Sequence, residues 1–128
     1  RIGKLDFVRK KLKIIQIEFV ENMIKKKGGC ILDGRDIGTE ILPNADFKFY
    51  IDAPIEIRAK RRFKQLYSTN KSIEFKNILL DLEKRDINDK SRKNSPLIFS
   101  EDSILIDTEF LNPDQVLKKA LYYIKKNK

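Results

Sequence analysis

Three short apolar runs, each closed by an aspartate, constrain this chain more than any other feature: Cys30-Ile31-Leu32-Asp33, Phe47 to Asp52 (FKFYID) and Ser103 to Asp107 (SILID). Between and around them, apolar residues recur three and four apart, the period of a helix lying on a core. Short buried strands alternating with helices fold as a parallel sheet with helical crossovers. Parallel neighbours need a long connection, and the helices in those connections cover the sheet faces. The expected class is therefore α/β, a parallel sheet in a three-layer core. Ligands of such sheets bind beyond the carboxyl ends of the strands. The three aspartates mark the side on which to seek chemistry.

The helices follow from the same reading. From Lys4 to Lys27, the residues Leu5, Val8, Leu12, Ile15, Phe19, Met23 and Ile24 form one stripe, and Gly28-Gly29 stops the helix. Gly34 to Asp46, with Gly38, Pro43 and Asn44, reads as a loop holding one helical turn. Pro54 suits the first position of a helix running to about Ser68. Ser72 suits the N-cap of a helix to about Lys90, and Lys93-Asn94-Ser95-Pro96 is a loop. Asn112-Pro113-Asp114-Gln115 joins a capping residue to a glutamine at N3 and opens a last helix to the lysines near 125. No repeat or linker divides the sequence, so residues 1–128 are expected to form a single domain.

Composition narrows the partners. Lys and Arg number 28 against 19 Asp and Glu, a net charge of +9. Runs such as Lys25-Lys26-Lys27 read as solvated faces, although a basic balance also admits a nucleic acid or another polyanion. That second reading calls for aromatic side chains interleaved with the basic ones on an open face. Phe19, Phe47 and Phe49 fall instead on core-like positions. There is no stretch of about 18 apolar residues to span a membrane, and no secretory signal in these residues. The single cysteine, Cys30, makes no internal disulfide, and its apolar strand places it in the core rather than at a reaction centre. A cytoplasmic location is the default. The absence of histidine removes Ser-His-Asp and Cys-His catalysis and histidine metal sites. No G-x-x-x-x-G-K-[ST] phosphate loop occurs in the sequence.

Two constellations remain. In Asp33-Gly34-Arg35-Asp36-Ile37-Gly38-Thr39, the acid at a strand end can hold a water on magnesium. Arg35 and Asp36 suit a ligand with both anionic and hydrogen-bonding parts. The same string also reads as a loop tied by its own Asp–Arg pairs. Arg85, Asp89 and Arg92 fall at i, i+4 and i+7 on one helix face. They make either ordinary surface ion pairs or a comb for a pentose hydroxyl and a phosphate. Arg58, Arg61 and Arg62 form a further arginine group after the second strand, open to the same two readings.

Taken in order, the strings ILDGRDIGTEILPNADFKFYIDA, RAKRRFKQL, EKRDINDKSRKNSPL and ILIDT resemble the bacterial cytidylate kinase family, from about Val8 to the C-terminus. The resemblance implies a P-loop nucleoside-monophosphate-kinase core, with a small helical lid around residues 58–75. It also implies transfer of the ATP γ-phosphoryl to CMP or dCMP, with Mg2+ as cofactor. The family is longer at its N-terminus, where its phosphate-binding loop lies, so these 128 residues alone are expected to be inactive. Matched residue by residue, Arg9 and Asp36 fall on the cytosine-contacting pair, and Arg35 and Arg92 on arginines near the monophosphate. Arg85 and Asp89 fall on the pair that holds the pentose. Arg58 and Arg61 match lid arginines that close over the transferring phosphoryl, and Asp33 matches an acid near the magnesium shell. The six substrate residues are expected to converge on one crevice. The implied partners are CMP or dCMP and ATP, with the complete protein a monomer that binds neither membrane nor nucleic acid. Two other readings stay open at this point: a nucleoside-monophosphate kinase of other base specificity, and a non-catalytic basic nucleic-acid-binding domain.

Overall fold

The expected long helix is present as α1, Asp6–Lys27, in a computed structural model that describes residues 6–93 and 96–127. Lys4 and Leu5 of the expected helix, and Asn94 and Ser95 of the expected loop, lie outside the described residues. The chain forms two compact units, one through Ala45 and one from Asp46 onward.

In the first unit, α1 ends as the glycines require. Gly28 takes φ +77° and its N–H donates to Ile24 O at 2.9 Å, a left-handed cap that side chains disfavour. The loop that follows carries one turn of π-helix, Ile37–Ile41, which packs against α1. Val20 and Ile41 are the buried apolar residues of this unit. Most of the expected stripe behaves differently, since Leu12, Ile15, Phe19 and Ile24 are all about half exposed. Among the described residues of this unit, a short turn packs against a long helix, and much of the helix's apolar face is exposed.

The expected strand Cys30–Asp33 does not form among the described residues. Ile31 is 96% exposed, and Cys30 is exposed rather than in the core. An apolar run becomes a strand only where a neighbour supplies a ladder for its N–H and C=O groups. Among the described residues the sheet has two strands, neither of them this run. The expected three-stranded, three-layer core is thus reduced to a small parallel sheet with helices.

That sheet lies in the second unit. Strands β1 (Phe49–Asp52) and β2 (Ile104–Asp107) pair in parallel, with Phe49 opposite Ile104 and Asp52 opposite Asp107. The acids of both strands therefore end side by side, as the sequence pattern requires. Between the strands the chain runs through α2 (Ile55–Tyr67) and α3 (Phe75–Ser91), packed as a helical hairpin. Phe63 stands edge-on to Phe75, ring centroids 6.1 Å apart, and Ala59 and Ile78 are buried. Helix α4 (Pro113–Lys126) packs on β2, whose Ile106 is fully buried.

Helix starts separate correct cues from misleading ones. Asn112 and Gln115 form the expected capping box, each side chain accepting from the other's backbone N–H at 2.9 Å. Pro54 stands one residue earlier than expected. It is extended, with ψ 144°, and its carbonyl accepts from Ile57 and Arg58 at 3.0 and 3.1 Å. Ser72 caps nothing. Its N–H and hydroxyl both donate to Asn70 Oδ1, at 3.0 and 2.8 Å. That local turn takes up the hydroxyl, and α3 begins three residues later at Phe75.

Candidate active site

The first unit builds a ladder of charge between α1 and the π turn. Arg9 and Lys13 are one helical turn apart, and they face Asp36 and Glu40, which are likewise four apart. Arg9 Nη2 donates to Asp36 Oδ2 at 3.3 Å, with both side chains mostly covered. Lys13 Nζ stands 3.9 Å from Glu40, and both are far more exposed. The turn keeps Asp36 in place through its backbone, because Asp36 O accepts from the N–H groups of Glu40 and Ile41 at 2.8 and 3.2 Å. Single π turns of this kind occur often at functional sites. Gly34 lets the chain bend tightly here: a Cβ at that position would stand 2.9 Å from Ile37 Cγ1. Arg35 is half-buried on the same loop and Asp33 is exposed. A guanidinium and a carboxylate meeting at one contact, both partly shielded, can read a planar group that carries donors beside acceptors.

The second unit places a tighter arrangement where β1 ends. Arg58 of α2 donates through Nε to Ala53 O at 2.9 Å, and through Nη1 and Nη2 to the two oxygens of Asp86 at 2.9 and 2.5 Å. This is a fork-to-fork pair between the two helices of the hairpin. The guanidinium holds the Asp86 carboxyl below its usual range, and the same hydrogen bond raises Arg58 further. Burial, followed by the carboxylates of Asp52 and Asp86, pushes the nearby Tyr50 phenol up.

Arg61 is occupied as well. It donates to Thr108 Oγ1 at 2.9 Å and to the carbonyl of Thr108, with longer bonds at 3.4 Å to the carbonyls of Glu109 and Leu111. Thr108 is buried and in turn donates to Asp52 O, tying the ends of β1 and β2 together. Farther along α3, Asp89 is buried and accepts from Arg92 Nη2 at 2.9 Å, while Arg85 is exposed.

The structure thus brings Arg9 to Asp36 in one unit and Arg92 to Asp89 in the other, and it separates exposed Arg85 from buried Asp89 in environment. One residue, Asp86, was given no role by the sequence reading. Asp86 follows Arg85 directly in the comb, and its place three residues before Asp89 was the available signal. Thr108 lies in the strand-end segment Asp107-Thr108, to which the parallel-sheet reading directs attention, and the structure gives it the role of a tie to Arg61 and Asp52. Among the described residues, no three metal-ligating side chains form a group that could hold an ion. No helix among the described residues is long and apolar enough to cross a membrane.

Comparison with known proteins bears on these clusters. Residues 1–126 match the family model described as cytidylate kinase. The chain is 40% identical to the cytidylate kinase of Caldicellulosiruptor bescii over 129 aligned positions, covering 98% of this chain and 55% of that protein. It is 43% identical to the cytidylate kinase of Clostridium botulinum strain Hall, covering 84% and 50%. With cytidylate kinase 1 of Haemophilus influenzae it shares 40% identity, covering 98% and 52%. The chain spans about half the length of the curated relatives it matches.

Proposed function

Because the chain belongs to the cytidylate kinase family, we propose that the full-length protein transfers the γ-phosphoryl of ATP to CMP or dCMP, giving ADP and CDP or dCDP. The observation that carries this reading is the pairing of Arg9 with Asp36 at 3.3 Å, across 27 positions of sequence. Cytosine presents an exocyclic amine beside ring acceptors, so a carboxylate takes the amine hydrogen while a guanidinium donates to the ring. Uracil has a carbonyl where cytosine has the amine, and it would meet the carboxylate with a second acceptor. Arg35 and Arg92 are assigned to the monophosphate, and Arg85 with Asp89 to the pentose.

In the reaction an anionic oxygen of the monophosphate forms a bond to Pγ, and the bridging β–γ bond breaks to leave ADP. The attacking oxygen is already ionised, so no side chain need remove a proton. Positioning and neutralisation of charge supply the catalysis. Arg58 and Arg61 are the groups assigned to the transferring phosphoryl, on a lid around residues 58–75 of a P-loop-kinase core. Arg61 is tied to Thr108 through both Nη groups.

Magnesium fits the donor set in one way. Asp33 is an exposed carboxylate on the loop, suited to a metal-bound water, and this ion keeps most of its shell as water and phosphate oxygens. When bound, magnesium would neutralise charge on the β- and γ-oxygens of ATP.

A coupled assay of ADP release tests the reading on the full-length protein. CMP and dCMP are expected to turn over, with UMP and AMP far behind. The 128 residues alone, which contain no phosphate loop, are expected to show no turnover. Equal use of UMP or AMP would shift the assignment to another base, and failure with all four nucleotides would reject it.

A further inference from the structure

We infer that Asp86 is a positioning residue for phosphoryl transfer: it holds the Arg58 guanidinium at the carboxyl end of β1, ready for an anionic phosphate group. The inference rests on the kinase reading and adds to it a residue that the family strings left without a role. Its basis is the geometry of one side chain. Arg58 lies on the first turn of α2, directly after β1, on the side where ligands of a parallel sheet bind. A guanidinium has five N–H bonds. One goes to Ala53 O and two go to the carboxylate of Asp86, which leaves two to offer an anion. The backbone contact fixes the root of the group. The fork with Asp86 fixes its plane.

Fixing the plane matters because an arginine side chain otherwise samples many rotamers, and ordering it during the reaction would add to the barrier. Asp86 is well placed to do this. It is carried on α3 and both partners are about one-third exposed, so the pair is neither sealed in the core nor loose in water. The carboxylate also offsets the charge of Arg58 until a phosphate arrives, and each lateral edge of the guanidinium keeps one N–H outside the fork. Arg61 contrasts with this. Its bonds go to a hydroxyl and three neutral carbonyls, which makes it a tie between α2 and the chain after β2.

The test is steady-state kinetics with ATP and CMP on the full-length protein, with Asp86→Asn as the main variant. Asparagine keeps the shape and removes the charged fork, and Asp86→Glu keeps the charge. Asp86→Asn is expected to lower kcat roughly 10- to 100-fold while KM for CMP stays within about threefold, and Asp86→Glu to recover a large part of kcat. With Arg58→Ala already in place, adding Asp86→Asn is expected to change kcat less than about twofold, since a residue that acts through Arg58 has nothing left to position. A lowered melting temperature with kcat intact would overturn the inference and leave Asp86 a staple of the hairpin. Full additivity of the two substitutions in kcat would overturn it too. If the unmodified protein fails to phosphorylate CMP, the kinase reading itself is lost and this inference goes with it.

Discussion

Two arginine–aspartate pairs, one in each unit, use the same chemistry at different tension. Arg9 meets Asp36 through one contact of 3.3 Å, longer than the roughly 2.7–2.9 Å usual for charged partners. Arg58 meets Asp86 through two bonds, at 2.9 and 2.5 Å, with a third bond from Nε to a backbone carbonyl. A single long contact is easily exchanged for bonds to a ligand. A bidentate fork is not, and it serves better as a support for whatever its remaining N–H bonds touch. Under the proposed function, the first pair suits recognition and the second suits placement. Residue type alone does not separate these roles; the number and length of the bonds do.

The sharpest way to break this contrast is Asp36→Ala in the full-length protein. Removal of the carboxylate leaves the cytosine amine without its acceptor, which costs roughly 1–3 kcal/mol. KM for CMP is expected to rise about 5- to 150-fold, with UMP gaining ground relative to CMP. kcat for CMP should change much less, because the lost contact acts on the base and not on the phosphoryl. A large fall in kcat with KM unchanged would give Asp36 the placement role assigned to Asp86.

Legibility from sequence followed the range of the forces involved. The capping box at Asn112 and Gln115 involves residues three apart and was fully visible, as was the glycine stop after α1. The two strands that found each other were visible too, though both were expected one or two residues longer at their N-terminal ends. Cys30–Asp33 was not legible, because a run of the same character becomes a strand only when a partner's ladder is there to receive it. Ser72 misled for a local reason: Asn70, two residues earlier, takes its hydroxyl. In the site, Asp36 could be named from the family strings, and Arg9 from the residue-by-residue match along the first helix. The Arg58–Asp86 fork could not, because nothing in the order of residues says which of several acids on α3 an arginine on α2 will meet.

Acid titration sharpens the contrast on the side of stability. Arg58 depresses the Asp86 carboxyl below its ordinary value of 3.8. The sign follows directly. A depressed carboxylate contributes stability that is fully present above its unfolded value and is lost as pH falls through the folded one. Asp86→Asn is expected to lower stability by about 1 kcal/mol at neutral pH, allowing for solvent around a pair one-third exposed. Denaturation curves of variant and parent should converge as pH falls from 3.8 through the depressed folded value of Asp86, where the native carboxylate is protonated as well. A constant gap at every pH would mean that the variant disturbs packing, not the charged fork.

The smallest effect separates the two rungs of the first unit. Lys13 and Glu40 repeat the geometry of Arg9 and Asp36 one helical turn along, yet their side chains are 43% and 51% exposed against 21% and 23%. At 3.9 Å and in water the outer rung is worth only a few tenths of a kcal/mol, less still in high salt. Lys13→Ala is therefore expected to leave KM for CMP within about twofold and to shift stability by no more than about 0.5 kcal/mol. Kinetics at low and high ionic strength, read alongside Asp36→Ala, checks this. If Lys13→Ala raises KM about fivefold or more at low salt, the ligand reaches a full turn farther along α1 than the Arg9–Asp36 pair alone would place it. Recognition would then belong to the whole ladder of charge and not to its covered rung.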